Sequence, residues 1–113
     1  MTYKVILLSR AETELADIAV WLSERSPDGA IRWLDAFDAA RQSLSENPRG
    51  CGLAPENDFV EEEIRQIFFQ TRHGQPYRAI FTIIDDEVRV LHIRGPHQRL
   101  LRADELWTVA SGA

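Results

Sequence analysis

One cysteine stands among 113 residues, Cys51. That excludes an internal disulfide framework and a cysteine-based zinc cluster. No apolar run approaches the ~20 residues that a membrane-spanning helix needs, so no membrane partner is expected. Met1-Thr2-Tyr3-Lys4 lacks the charged-then-apolar order of a secretory signal, and the apolar run at 5–8 is too short to be one. The expectation is a soluble cytoplasmic protein. Glycine-rich phosphate loops, Ser-His-Asp order, internal repeats and low-complexity segments are all missing. The acidic residues at 56–63 lack EF-hand spacing, and no metal or cofactor is expected. Cys51 lies between Gly50 and Gly52 with no neighbour that marks it as a nucleophile.

What remains is an ordinary globular composition. Hydrophobic residues make up 44% of a 12.9 kDa chain, enough to bury a core without a staple. The length fits one domain over 1–113, with a core at about 3–102 and a tail at 103–113.

Lysine is as scarce as cysteine. Lys4 is the single lysine and the other 12 basic residues are arginines. The net charge of −5 is unevenly spread. Residues 1–63 carry six basic against 13 acidic residues, −7 in sum. Residues 64–102 carry seven arginines (Arg65, Arg72, Arg78, Arg89, Arg94, Arg99, Arg102) against Asp85, Asp86 and Glu87, +4 in sum. Arginine forks match carboxylate and phosphate bidentately, so this half suits an anionic partner; a solvated sheet face explains the same charges equally well.

Periodicity supplies the elements. Residues 3–8 read as a buried strand. Ser9-Arg10-Ala11-Glu12 has the form of a capping box, opening a helix with Ala11, Leu15, Ile18 and Leu22 on one stripe and Trp21 beside it. Ser26-Pro27 ends that helix and starts another, striped by Ala30, Leu34, Phe37, Ala40 and Leu44 and closed by Asn47-Pro48. Residues 49–63 form an acidic loop. Three strands follow at 64–72, 77–84 and 87–94, the last two joined by a tight turn at Asp85-Asp86. Ala103–Trp107 suits one or two helical turns. The order β-α-α-β-β-β specifies an α+β fold, a helical hairpin packed on a small antiparallel sheet.

Strand alternation sorts the hairpin into two faces. Tyr77, Ala79, Phe81, Ile83, Val88 and Val90 form the face under the helices. Arg78, Ile80, Thr82, Ile84, Arg89, Leu91 and Ile93 form an opposite, open face, from which Arg78 and Arg89 project. His92 falls on the core side as a satisfied structural histidine, His73 is solvated in a turn, and Trp21, Trp33 and Trp107 fill core or interface space.

Three pieces of the chain carry a resemblance. Leu8-Ser9-Arg10-Ala11-Glu12 with Glu14-Leu15-Ala16-Asp17-Ile18 and Trp21, the stretch Ala39–Pro48, and above all Tyr77–Ile83 with Val88–Arg94 resemble the RelE/ParE superfamily of toxins, also called plasmid-stabilisation proteins. The resemblance spans about 3–102 and is nearer the ParE-like branch. It implies a growth-inhibiting toxin blocked by a cognate antitoxin, ParD- or RelB-like, encoded beside it, in a toxin–antitoxin hetero-oligomer. ParE-like members inhibit DNA gyrase, and RelE-like members are endonucleases that cut mRNA on the ribosome.

The resemblance also implies site residues. In a metal-free nuclease Arg78 would stabilise phosphate charge, with His97 and Arg99 beyond the last strand as further catalytic groups. Arg72, Arg78, Arg89 and Arg94 would bind target or antitoxin. RelE-like nucleases carry lysines on the strand before the central one. Here that stretch reads Ile67-Phe68-Phe69-Gln70-Thr71-Arg72, basic only at Arg72. A pI near 5.1 also opposes ribosome binding. The ParE-like reading is therefore preferred, with the nuclease second and a non-toxic antitoxin-binding member third.

Overall fold

The structure, a computed structural model, describes residues 2–106. Its elements run β1 (Lys4–Leu7), α1 (Ser9–Ser23), α2 (Pro27–Glu46), β2 (Arg65–Phe69), β3 (Tyr77–Ile84) and β4 (Glu87–Arg94), with 3₁₀ turns at Pro48–Gly50 and Pro55–Phe59. The α+β class and the element order are those expected. The sheet order is β1-β4-β3-β2, and the sheet is mixed rather than wholly antiparallel, because β1 runs parallel to β4. The helical pair is a crossover, which is the kind of connection a parallel pairing requires. Trp107 and most of the tail lie outside the described residues; 103–106 form one helical turn.

The two helix starts differ. Ser26 caps α2, accepting the Gly29 N–H at 3.0 Å, and Pro27 takes the first helical position. Ser26→Ala is expected to cost about 1 kcal/mol by chemical denaturation. The capping box expected at Ser9 is not formed. Leu8 donates its N–H to Val90 O at 3.0 Å, extending the strand ladder, so the helix begins at once and Ser9 is already inside it. Leu8 is the cap residue, and no side chain caps α1.

Under the helices lies one core. Ala11, Trp33, Phe37, Ala40 and Leu44 meet Phe69, Ala79, Phe81, Val88, Val90 and Ile93. The face beyond them is not open, contrary to expectation. Ala54, Ile64, Ile80, Leu91, Leu101 and Leu106 make a second core, closed by the 51–64 loop and by residues 99–106.

Ile93 also changes sides. In the β3–β4 ladder Ile80 stands opposite His92 and Phe81 opposite Val90, which leaves Leu91 as an extra residue. Such a bulge reverses alternation beyond it. Ile93 therefore joins the helix-side core opposite Ala79, and His92 stands opposite Ile80. At the far end of the hairpin Asp85 takes a left-handed conformation, φ 56°, which Asp tolerates better than most residues.

Candidate functional site

Strand register builds an arginine row. Phe68 of β2 stands opposite Arg78 of β3, and Arg78 stands opposite Arg94 of β4. Phe68 is 58% exposed, whereas the Arg78 side chain is only 11% exposed. Arg78 donates to Glu56 Oε1 at 2.7 Å and Oε2 at 2.6 Å, and to Gln66 Oε1 at 3.1 Å. Glu56, on the 3₁₀ turn of the acidic loop, is fully buried. Burial alone would raise its carboxyl. The Arg78 hydrogen bonds, the Leu101 N–H at 3.0 Å and its own backbone N–H outweigh this and hold it below the ordinary range.

The other arginines hold different positions. Arg99 grips Glu105 through both Nη atoms at 2.7 and 2.8 Å. Those hydrogen bonds raise Arg99 and pull Glu105 down to about 2. Arg94 donates to Arg99 O at 2.6 Å, and its buried Nε has no partner among the described residues. Burial lowers the Arg94 pKa, and Arg78 and Arg99 add to the lowering against Glu14 and Glu105. Arg89 lies opposite Thr82 and donates to Glu87 at 2.6 Å. Arg72 is exposed on the β2–β3 turn.

A groove of about 880 Å³ opens on the helix side. Ile18, Trp21 and Leu22 of α1, Trp33 of α2, Tyr77 and Ile93 give it an apolar floor, and Glu14, Asp17, Arg25 and His97 also line it. Trp33 is held edge-on to Tyr77 at 5.2 Å and tilted against Phe69 at 5.5 Å. Trp21 is 49% exposed, with the Arg25 guanidinium 3.6 Å above its ring. The structure thus gathers Arg78, Arg94 and Arg99 along one end of the far face and puts His97 in the groove.

Between these regions sits His92, 2% exposed. Its Nδ1 is 3.2 Å from Glu14 Oε1, and its Nε2 is 3.0 Å from the Glu105 carbonyl oxygen. Glu14 also accepts the Ile93 N–H at 2.9 Å.

Two of these residues, Glu56 and Glu14, are not singled out by sequence reasoning. An Asp or Glu of the acidic loop is an expected partner for Arg78, but among its five acidic residues only the place of Glu56 beside Pro55 in a turn sets it apart. Glu14 reads as one more exposed helix charge, although its i, i+4 spacing from Ile18, a groove residue, was a usable signal. Trp21, expected in core or interface space, presents an exposed aromatic face on the groove.

Comparison with known proteins gives concordant matches. A family described as "ParE toxin of type II toxin-antitoxin system, parDE" matches residues 5–99. Toxin RelE1 of Caulobacter vibrioides (strain ATCC 19089 / CIP 103742 / CB 15) is 35% identical over 81 residues, which cover 71% of this chain and 83% of that protein.

Proposed function

The chain belongs to the ParE toxin family of type II toxin–antitoxin systems, and from that premise we propose that it arrests bacterial growth by inhibiting DNA gyrase in the cytoplasm and is neutralised by a cognate ParD- or RelB-like antitoxin. One observation carries the choice of target. Arg78, the arginine a nuclease would aim at the scissile phosphate, has both terminal nitrogens taken by a fully buried carboxylate. A guanidinium in that grip holds the sheet to its covering loop and is not free for a phosphate. Arg99 is likewise engaged by Glu105, and His97 lines a different surface. The net charge of −5 weakens the general attraction to ribosomal phosphate, which the +4 of residues 64–102 restores in part.

The antitoxin reading rests on the groove. An amphipathic helix docks its apolar face in such a channel, and an extended segment continues over the surface. Exposed Arg72 on the β2–β3 turn is the arginine that best suits an acidic segment, whereas Arg89 lies toward the Asp85 end of the hairpin and Arg94 lies under residues 99–106.

Purified protein is expected to block gyrase supercoiling of relaxed plasmid in a dose-dependent way and to be relieved by antitoxin. Induction alone should slow growth, and co-expression should restore it. A second reading, the ribosome-dependent nuclease, draws on the printed name of the Caulobacter relative, RelE1. It predicts mRNA cut at ribosome-bound codons with supercoiling untouched, and loss of cutting in Arg99→Ala. Antitoxin binding without growth arrest would instead mark a non-toxic member.

A further inference from the structure

We propose that His92 is a pH-responsive clasp that fastens the covering segment 99–106 to the sheet and so sets access to the arginine row beneath it. The ring has an acceptor on each side: the Glu14 carboxylate of α1 at Nδ1 and the Glu105 carbonyl at Nε2. An imidazole with one proton can donate to one acceptor only. The arrangement is complete when both nitrogens carry protons. When one proton leaves, the bond to the charged Glu14 is the stronger and is kept. The Nε2 lone pair then faces the lone pairs of the Glu105 carbonyl, and that contact turns repulsive.

Glu105 is where this matters. Its side chain accepts from Arg99 and from the Arg102 N–H at 2.9 Å, and its backbone N–H closes the 103–106 turn on Arg102 O at 3.0 Å. The segment makes no strand ladder with the sheet. It is held by Leu101 N–H on Glu56, by Arg94 on Arg99 O, by the His92 contact, and by Leu101 and Leu106 in the second core. Closure also leaves Arg94 Nε buried without a partner among the described residues, which favours opening. Among the described residues His92 meets Glu14 of α1 and Glu105 of the segment; Arg10 pairs with Glu14, Arg99 and Arg102 with Glu105, and Arg94 of β4 interacts with both carboxylates and with Arg78 of β3. The sign follows from the two acceptors: the fastening is complete while both ring nitrogens carry protons and is lost when Nε2 gives up its own.

This inference does not depend on the target of the toxin. The test is nitrogen NMR of the His92 ring in the whole protein between pH 5.5 and 8.5, with hydrogen exchange of the Leu101, Glu105 and Leu106 amides. Both ring nitrogens should be protonated at pH 5.5. On deprotonation the opening of those three amides, corrected for intrinsic exchange, should rise about tenfold, while the Ala79 and Phe81 amides stay constant. His92→Gln should abolish that pH dependence. A ring with one bare nitrogen at pH 5.5, or a ring that titrates without any change in the segment, would overturn the proposal. If His92→Gln fails to fold, the wild-type ring and amide data decide alone.

Discussion

Glu56→Ala should destabilise the fold by about 3–5 kcal/mol, because it strands a desolvated guanidinium. Arg78, the second residue of β3, has its side chain only 11% exposed, and Glu56 supplies two of its three hydrogen bonds. The same substitution frees the Leu101 N–H and so loosens the covering segment. Chemical denaturation of the purified protein measures the loss. The double variant Glu56→Leu with Arg78→Met should recover most of it, since an apolar pair leaves no buried charge unmatched. A Glu56→Ala protein within 1 kcal/mol of wild type, on the order of an exposed pair, would show that the ion pair is dispensable.

The same pair predicts an acid response. The Glu56 carboxyl sits below its ordinary value of 4.5, and a depressed carboxyl adds stability above its unfolded pKa that is lost as pH falls through the folded one. Glu105, pulled down to about 2, behaves alike, its contribution being lost progressively as pH falls from its unfolded value toward that one. Stability should therefore decline from about pH 5 downward, and the decline should be shallower in the Glu56→Leu, Arg78→Met variant.

These residues mark where sequence reasoning stops. The helix ends at Ser26-Pro27 and Asn47-Pro48 and the β3–β4 turn were readable because each is local chemistry, a cap, a fixed φ or a tolerated left-handed turn. Face assignment by alternation held from Tyr77 to Ile83 and at Val88 and Val90. It failed at Ile93 because the bulge at Leu91 depends on two strands together. Ser9 has the composition of a cap and lost that role to Leu8, whose N–H the sheet had already engaged. That an acid of this loop pairs with Arg78 is open to sequence reasoning, but that the acid is Glu56 depends on a contact 22 residues apart in the chain. The second core escaped notice for a related reason: Ala54, Ile64, Leu101 and Leu106 come from short, separate segments that only the tertiary fold brings over the far face.

Trp21→Ala should leave the fold intact and weaken antitoxin binding by roughly 30- to 1,000-fold, the range of a buried tryptophan hot spot of 2–4 kcal/mol. In the free protein the ring is 49% exposed, on the wall of the groove, so its removal opens no core cavity and the stability change should stay within about 1 kcal/mol. Trp33, in the same groove but buried, gives the contrast: Trp33→Ala should cost about 3–5 kcal/mol and unfold much of the protein. Val20→Ala supplies the control, since Val20 is 60% exposed on the same helix and does not line the groove. Calorimetry with the antitoxin reads the affinities. In cells, Trp21→Ala toxin should still arrest growth while antitoxin at matched expression no longer restores it, and Val20→Ala should behave as wild type. Unchanged antitoxin affinity in Trp21→Ala would take the groove out of the interface and direct attention to the arginine row. There the antitoxin would have to engage Arg94 and Arg99 in competition with Glu105, and its binding would weaken with salt far more steeply than a contact made through an apolar groove.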